Sequence, residues 1–241
     1  QLVEANVIRI DFTGGEPMLR KDFLEIIKYA SQKGIETLIT SNGSVYNDEI
    51  AQTLLETNTL LLISLDGDEK THDKCRGKGA YKTAVENIKK YRAMNVPVRI
   101  NYLIRKDNLN KIEYIYKLTK ELKVDRLFYI FIAPQGKAYK NTNLLLSDEL
   151  KKDYLIKIKK LKQKSGDDPF ITIQDYSKLG NYHSCFLIDS KGNVISQGYS
   201  QDECINVGNI LTDGLEKCWN NPIFNHKGHF LQYAYMFNYY M

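Results

Sequence analysis

No apolar run in this 241-residue chain approaches the roughly 18 residues that a membrane-spanning helix needs; the longest, such as Thr59 to Leu65, are strand-sized. A soluble protein with no membrane partner is expected. Cysteine is also scarce: 4 residues, at 75, 185, 204 and 218, follow no short repeat. That excludes the dense disulfide framework of a small secreted domain and makes a reducing cytoplasm the expected setting. Gln1 to Ile10 holds neither a basic segment nor an apolar core followed by small residues, so no secretory signal is read. Internal repeats and low-complexity linkers are absent. No charge of one sign dominates: 34 Lys and Arg stand against 29 Asp and Glu, a net +5. The densest basic stretch, Lys151 to Lys164, sets Tyr154, Leu155, Ile158 and Leu161 at helical spacing. Its lysines are therefore the wet face of an amphipathic helix, and no nucleic-acid partner is expected.

What is present is 43% hydrophobic residues, enough to fill one principal core. From Val7 to Ile132, short β-branched runs alternate with segments of helical period. Strands are predicted at Val7 to Phe12, Ile35 to Thr40, Leu60 to Leu65, Val98 to Ile104 and Arg126 to Ile132. Helices are predicted at Lys21 to Gln32, Asp48 to Thr57, Ala80 to Met94 and Leu109 to Leu122. A fifth helix follows Ser147, a candidate cap with Glu149 in the first turn. The alternation predicts a parallel sheet with right-handed crossovers, in which functional groups collect on loops after the carboxyl ends of the strands. After Lys164 the stretch SGDDP reads as a break. Shorter strands at Phe170 to Gln174, Phe186 to Asp189 and Asn193 to Ser196 then predict a second, smaller module from residue 165, with a turn at Ser190 to Gly192.

Three strand ends carry glycine beside small polar residues. The first runs into Thr13-Gly14-Gly15-Glu16-Pro17, where paired glycines fit either a tight turn or close approach of the backbone to a ligand. The second ends in Thr40-Ser41-Asn42-Gly43 and the third in Ser64-Leu65-Asp66-Gly67; alone, either is turn chemistry. Successive parallel strands bring all three to one rim. The third continues to His72, Asp73 and Arg76.

In this order, GGEP, TSNG and SLDG with a downstream HDxxR resemble the radical S-adenosylmethionine family, in its peptide-modifying, sulfatase-maturase-like branch. The resemblance runs from Val7 through Ala138. It implies an α/β fold: a partial (β/α)6 TIM-like barrel over residues 1–164 that misses its first βα unit, and a small C-terminal α+β accessory module of SPASM or twitch type over 165–241. It also implies binding of S-adenosylmethionine. Backbone groups of Gly14, Gly15 and Glu16 would hold the amino group of its methionine moiety. Ser41, Asn42, Ser64 and Asp66 would face its ribose and carboxylate, and Arg76 would pair with that carboxylate. The alternative for Arg76 is a surface residue in a mobile loop. His72 and Asp73 would shape that loop, while Asn108 and Gln135 match family positions more loosely.

The family's chemistry further implies a [4Fe-4S] cluster on CxxxCxxC, yielding a 5'-deoxyadenosyl radical that modifies a peptide or protein substrate. No CxxxCxxC stands in this sequence. In the family it lies just upstream of the strand ending in GGEP. Two readings follow: a piece of a cluster-bearing enzyme, or a degenerate, non-catalytic scaffold or peptide-binding partner without a cluster. A third is acid-base chemistry by Asp66, His72 and Arg76. The second module repeats the pattern. Cys185 opens it, and Val207 to Ile210 with Leu215 and Trp219 match the closing strand and helix, but Gln197 and Gly198 stand where the family places a cysteine and an acid. The tail QYAYMFNYYM has no cysteine cluster, so an auxiliary cluster is not expected. The spacing of Cys185, Cys204 and Cys218 fits no compact metal pattern.

Overall fold

The computed structural model describes residues 1–166, 168–175, 186–196 and 200–224. They divide into two compact units. The larger, Ile8–Phe131 with Leu146–Gln174, is built on a six-stranded parallel sheet: β1 (Arg9–Phe12), β2 (Glu36–Ser41), β3 (Leu60–Ser64), β4 (Val98–Ile104), β5 (Arg126–Phe131) and β6 (Phe170–Gln174). The strands lie in chain order, with β1 and β6 at the edges. Between them run α1 (Phe23–Gln32), α2 (Asp48–Glu56), α3 (Glu69–Arg76), α4 (Ala80–Ala93), α5 (Ile112–Glu121) and α6 (Asp148–Ser165).

Side chains alternate between the two faces of a strand, and register aligns them across the sheet. One face carries Ile39, Leu61, Ile63, Ile100, Tyr102, Leu127 and Tyr129, all fully buried. It meets the apolar stripes of the helices, including the buried Ile27, Leu54, Ile88 and Ile115. The Tyr129 hydroxyl donates to the Ile112 carbonyl at the start of α5, 2.9 Å away. The opposite face is polar for much of its length: Arg9 and Asp11 on β1, Thr40 on β2, Ser64 on β3, Arg99 and Asn101 on β4. A continuous apolar run over β3 to β5 is what a doubly covered strand shows; here the polar residues interrupt it.

Helix starts follow local chemistry. Asn47 caps α2 by accepting the Ile50 N–H, Asp68 caps α3 by accepting that of Thr71, and Ser147 caps α6 by accepting that of Leu150. Two expectations are corrected. Phe170–Gln174 does not open the second module; it pairs in parallel with β5 as a sixth strand, so SGDDP is the loop of one more helix-to-strand repeat. The HDxxR segment is the helix α3 and not a loop, because Asp68 supplies a cap that its low apolar content conceals.

The smaller unit takes Gln1–Val7, Ile132–Leu145 and the chain from Asp175. Its antiparallel sheet, in the order β7 (Phe186–Ile188), β8 (Asn193–Ser196), β9 (Ile205–Asn209), is followed by α7 (Leu215–Trp219). The expected turn is present: Asp189 accepts the backbone N–H groups of Lys191 and Asn193. Phe186, Trp219 and Phe224 form its aromatic cluster, with ring centroids 4.8 to 6.4 Å apart. Cys185, Gln197, Gly198 and the aromatic tail lie outside the described residues. Among the described residues no helix is long and apolar enough to cross a membrane.

Candidate functional site

The carboxyl ends of β1, β2 and β3 form one rim of the larger unit. After β1, Gly14 adopts φ +139°, and a Cβ built on Gly14 or Gly15 would meet no atom within 4 Å, so this backbone is open to a ligand. Glu16 follows and its side chain turns to the next strand end. Its carboxylate accepts from the Ser41 hydroxyl at 3.0 Å, from the Asn42 N–H at 2.8 Å and from the Met18 N–H at 3.5 Å. Ser41 in turn accepts the Gly43 N–H, and the Asn42 side chain accepts that of Ser44. Glu16, Ser41 and Asn42 are thus one hydrogen-bonded group, in which Glu16 acts through its side chain as well as its backbone.

Helix α4 braces the same loop. Gly43 sits at φ +79°, and a Cβ there would fall 2.9 Å from that of Ala84. Asn87 donates to the Gly43 carbonyl at 2.8 Å, and the Tyr91 hydroxyl to the Val45 carbonyl at 3.0 Å.

After β3, Asp66 is 2% exposed and is the hub of a second group. Arg76 donates through Nε to one carboxylate oxygen and Arg105 through Nη1 to the other, at 2.5 and 3.1 Å. The Asp66 N–H donates to His72 Nδ1, and Asn108 donates to the Asp66 carbonyl, both at 3.1 Å. A carboxylate this buried needs such pairing, because desolvation otherwise outweighs any attraction. His72 is fully buried and burial lowers its pKa, so it is neutral, with the proton on Nε2. With Asp66 in ion pairs and His72 sealed in, acid-base chemistry by this trio loses its basis. Asp73 accepts the N–H groups of Gly79 and Tyr81, which hold it below the usual carboxylate range and fix the entry to α4.

The two groups meet at a cavity of about 320 Å³ lined by Asn42, Ser44, Arg76, Gly77, Lys78, Gly79, Ala80 and Thr83. Arg76 and Lys78 are its cations. The Arg76 Nε is engaged by Asp66, the side chain stays 30% exposed, and the Nη groups remain for an anion. Asn42 and Arg76, of the expected site residues, line this cavity, whereas Ser64 lies on the polar face beside its register partner Asn101. Gln135 belongs to the smaller unit, where the next residue, Gly136, donates its N–H to Gln201. Sequence reasoning missed Arg105, because the end of β4 carries no glycine beside its polar residues; its place at a strand end, before Asp107 and Asn108, is the signal that could have found it.

Residues 1–119 match the family model described as the Radical SAM superfamily. Over those residues the chain belongs to the radical SAM superfamily. Fe-coproporphyrin III synthase of Methanosarcina barkeri is 35% identical over 140 residues, covering 57% of this chain and 35% of that one. PqqA peptide cyclase of Bradyrhizobium diazoefficiens is 30% identical over 149 residues, covering 61% and 39%. The chain thus spans little more than a third of the length of these two relatives. A solved structure titled native anSMEcpe with bound AdoMet and Cp18Cys peptide shares the fold, with TM-score 0.71 at 19% identity over 93% of this chain and 70% of that one.

S-adenosylmethionine and a [4Fe-4S] cluster are implied by the superfamily. The rim suits the first: an uncrowded Gly14-Gly15 backbone, and a cation-bearing cavity for its carboxylate. The cysteines do not suit the second. The sequence has no CxxxCxxC, and among the described residues no three His, Cys, Asp or Glu side chains are placed to hold a metal.

Proposed function

We propose that this chain is the S-adenosylmethionine-binding part of a radical SAM protein of the SPASM or twitch branch, whose substrate is a peptide or protein. In this reading β1 to β6 are a partial barrel, and the accessory module starts beyond Gln174. The observation that carries it is the convergence of Glu16-Ser41-Asn42 and Asp66-Arg76 on one cavity at the carboxyl ends of adjacent parallel strands. Gly14, Gly15 and Glu16 would receive the amino group through their backbone, and Arg76 the carboxylate. A substrate peptide finds support in a relative named as a peptide cyclase and in a fold neighbour that holds a peptide. Any cluster would take its cysteines from outside residues 1–241.

Calorimetry with S-adenosylmethionine tests the reading. The parent chain is expected to bind, and Arg76→Ala to bind at least about tenfold more weakly, the loss for one charge-assisted contact. Equal affinities would remove Arg76 from the site. A second reading is a scaffold that binds without radical chemistry. The two are separated by anaerobic reconstitution of the full encoded protein: stoichiometric [4Fe-4S] absorption supports catalysis, and its absence supports the scaffold.

A further inference from the structure

The polar face of the large sheet holds a carboxylate that the fold does not use. Asp11 on β1 receives one donor, the Thr40 hydroxyl on β2, at 3.0 and 3.3 Å from its two oxygens. One hydroxyl leaves most of the roughly four acceptor sites of a carboxylate open. No cation closes on it: Arg9 is bound to Glu36, and Arg99 donates to Asn101 while stacking 4.7 Å over the Phe128 ring. Among the described residues Asp11 has no ion pair, yet its side chain is exposed and available. The apolar Leu38 and Leu62 lie beside Asp11 and Thr40 in register and separate them from Arg99.

A charge serving only to protect the edge strand β1 would need no oriented partner on β2. Asp11 is oriented and left with free acceptor capacity. We infer that Asp11, held by Thr40, is a specificity-determining acceptor for an N–H or O–H donor on the substrate laid over this face. The inference deepens the peptide reading above and rests on it. The carboxylate takes the donor, and the part-exposed Ser64 and Asn101 on the same face supply further polar contacts. Such a sequence of groups matches a peptide segment with a donor-bearing side chain.

The test is an NMR-monitored titration of the whole 241-residue chain with blocked tripeptides, acetyl-Gly-X-Gly-amide. X is Ser, Asn or Lys in the donor set and Ala, Leu or Glu in the control set. The donor set is expected to bind about tenfold more tightly, as one hydrogen bond to a charged group gives. That preference should fall at least about threefold in Asp11→Asn, which keeps the shape, and in Thr40→Val, which releases the carboxylate, with wild-type amide dispersion retained. Peptides that bind without a donor preference, or a preference unchanged in both variants, would overturn the inference and leave the peptide reading standing. Failure of every peptide to bind the wild type would overturn both.

Discussion

Replacing Arg105 by Met tests whether the Asp66 hub holds the rim together. Arg105 is 6% exposed and donates to three groups: Asp66 at 3.1 Å, Asp107 at 3.0 Å and the Cys75 sulfur at 3.0 Å. Met matches its length and apolar stem, so packing changes little and the loss is electrostatic. Removing one partner of a buried ion pair costs about 3–5 kcal/mol when the other charge is left alone. Here Arg76 still neutralises Asp66, and its 30% exposure admits water, so the cost falls below that range, at about 2–3 kcal/mol. In a domain of this size that is a fall in Tm of roughly 4–12 °C. The assay is amide exchange along β3 and β4 with far-UV circular dichroism; fluorescence would mislead, because the one tryptophan, Trp219, belongs to the smaller unit. Asp66→Asn in the same background should recover part of the loss, since it removes a buried carboxylate left with one of its two ion pairs. A single-variant effect under about 1 kcal/mol, or fully additive losses in the pair, would refute the claim that Asp66 depends on both arginines.

Other expectations concern the neighbouring loops. Gly43→Ala combines left-handed strain with a contact of 2.9 Å to the Ala84 Cβ, and should cost about 2–4 kcal/mol in thermal unfolding; an unchanged Tm would show that the loop is not held as described. Asp68, the cap of α3, is depressed to about 2, chiefly by Lys111 and then by Thr71. An acid depressed in the fold adds stability above its unfolded pKa of about 3.9 that is lost as pH falls toward 2. Lys111→Met should therefore raise the Asp68 midpoint in a carbon-13 carboxyl titration and shrink the acid-side loss of stability. A midpoint that stays near 2 would transfer the effect to Thr71.

Most of the larger unit was legible because a buried parallel strand must be apolar and its crossover helix must alternate. The predicted spans for β1 to β5 and for α1, α2, α4 and α5 agree with the observed ones within a few residues. What failed did so for local reasons. Glu69–Arg76 is so polar that it shows no apolar stripe and only the Asp68 cap marks its start, and β6 was hidden behind a Gly and Pro break that resembles a domain border. The rim was legible as a set of residue types but not as a wiring: the family resemblance of the strand-end motifs pointed to Glu16, Ser41, Asn42, Asp66 and Arg76, while pairing of Glu16 with Ser41 and of Asp66 with Arg105 depends on register between strands. Asp11 was missed because one acid in a strand carries no periodic signal.

The lacing of the β2 loop by α4 ties Gly43 to a residue 41 positions away in the chain, Ala84. These two positions share a steric allowance that the Ile63 side chain, 3.0 Å from a Cβ at 43, also bounds. Over time they should drift together: a lineage that gains a side chain at 43 must first lose one at 84. In the laboratory, Ala84→Gly should return only the Ala84 Cβ share of the Gly43→Ala loss, leaving the left-handed backbone part and the contacts with Ile63 Cγ2 at 3.0 Å and the Ala84 Cα at 3.2 Å.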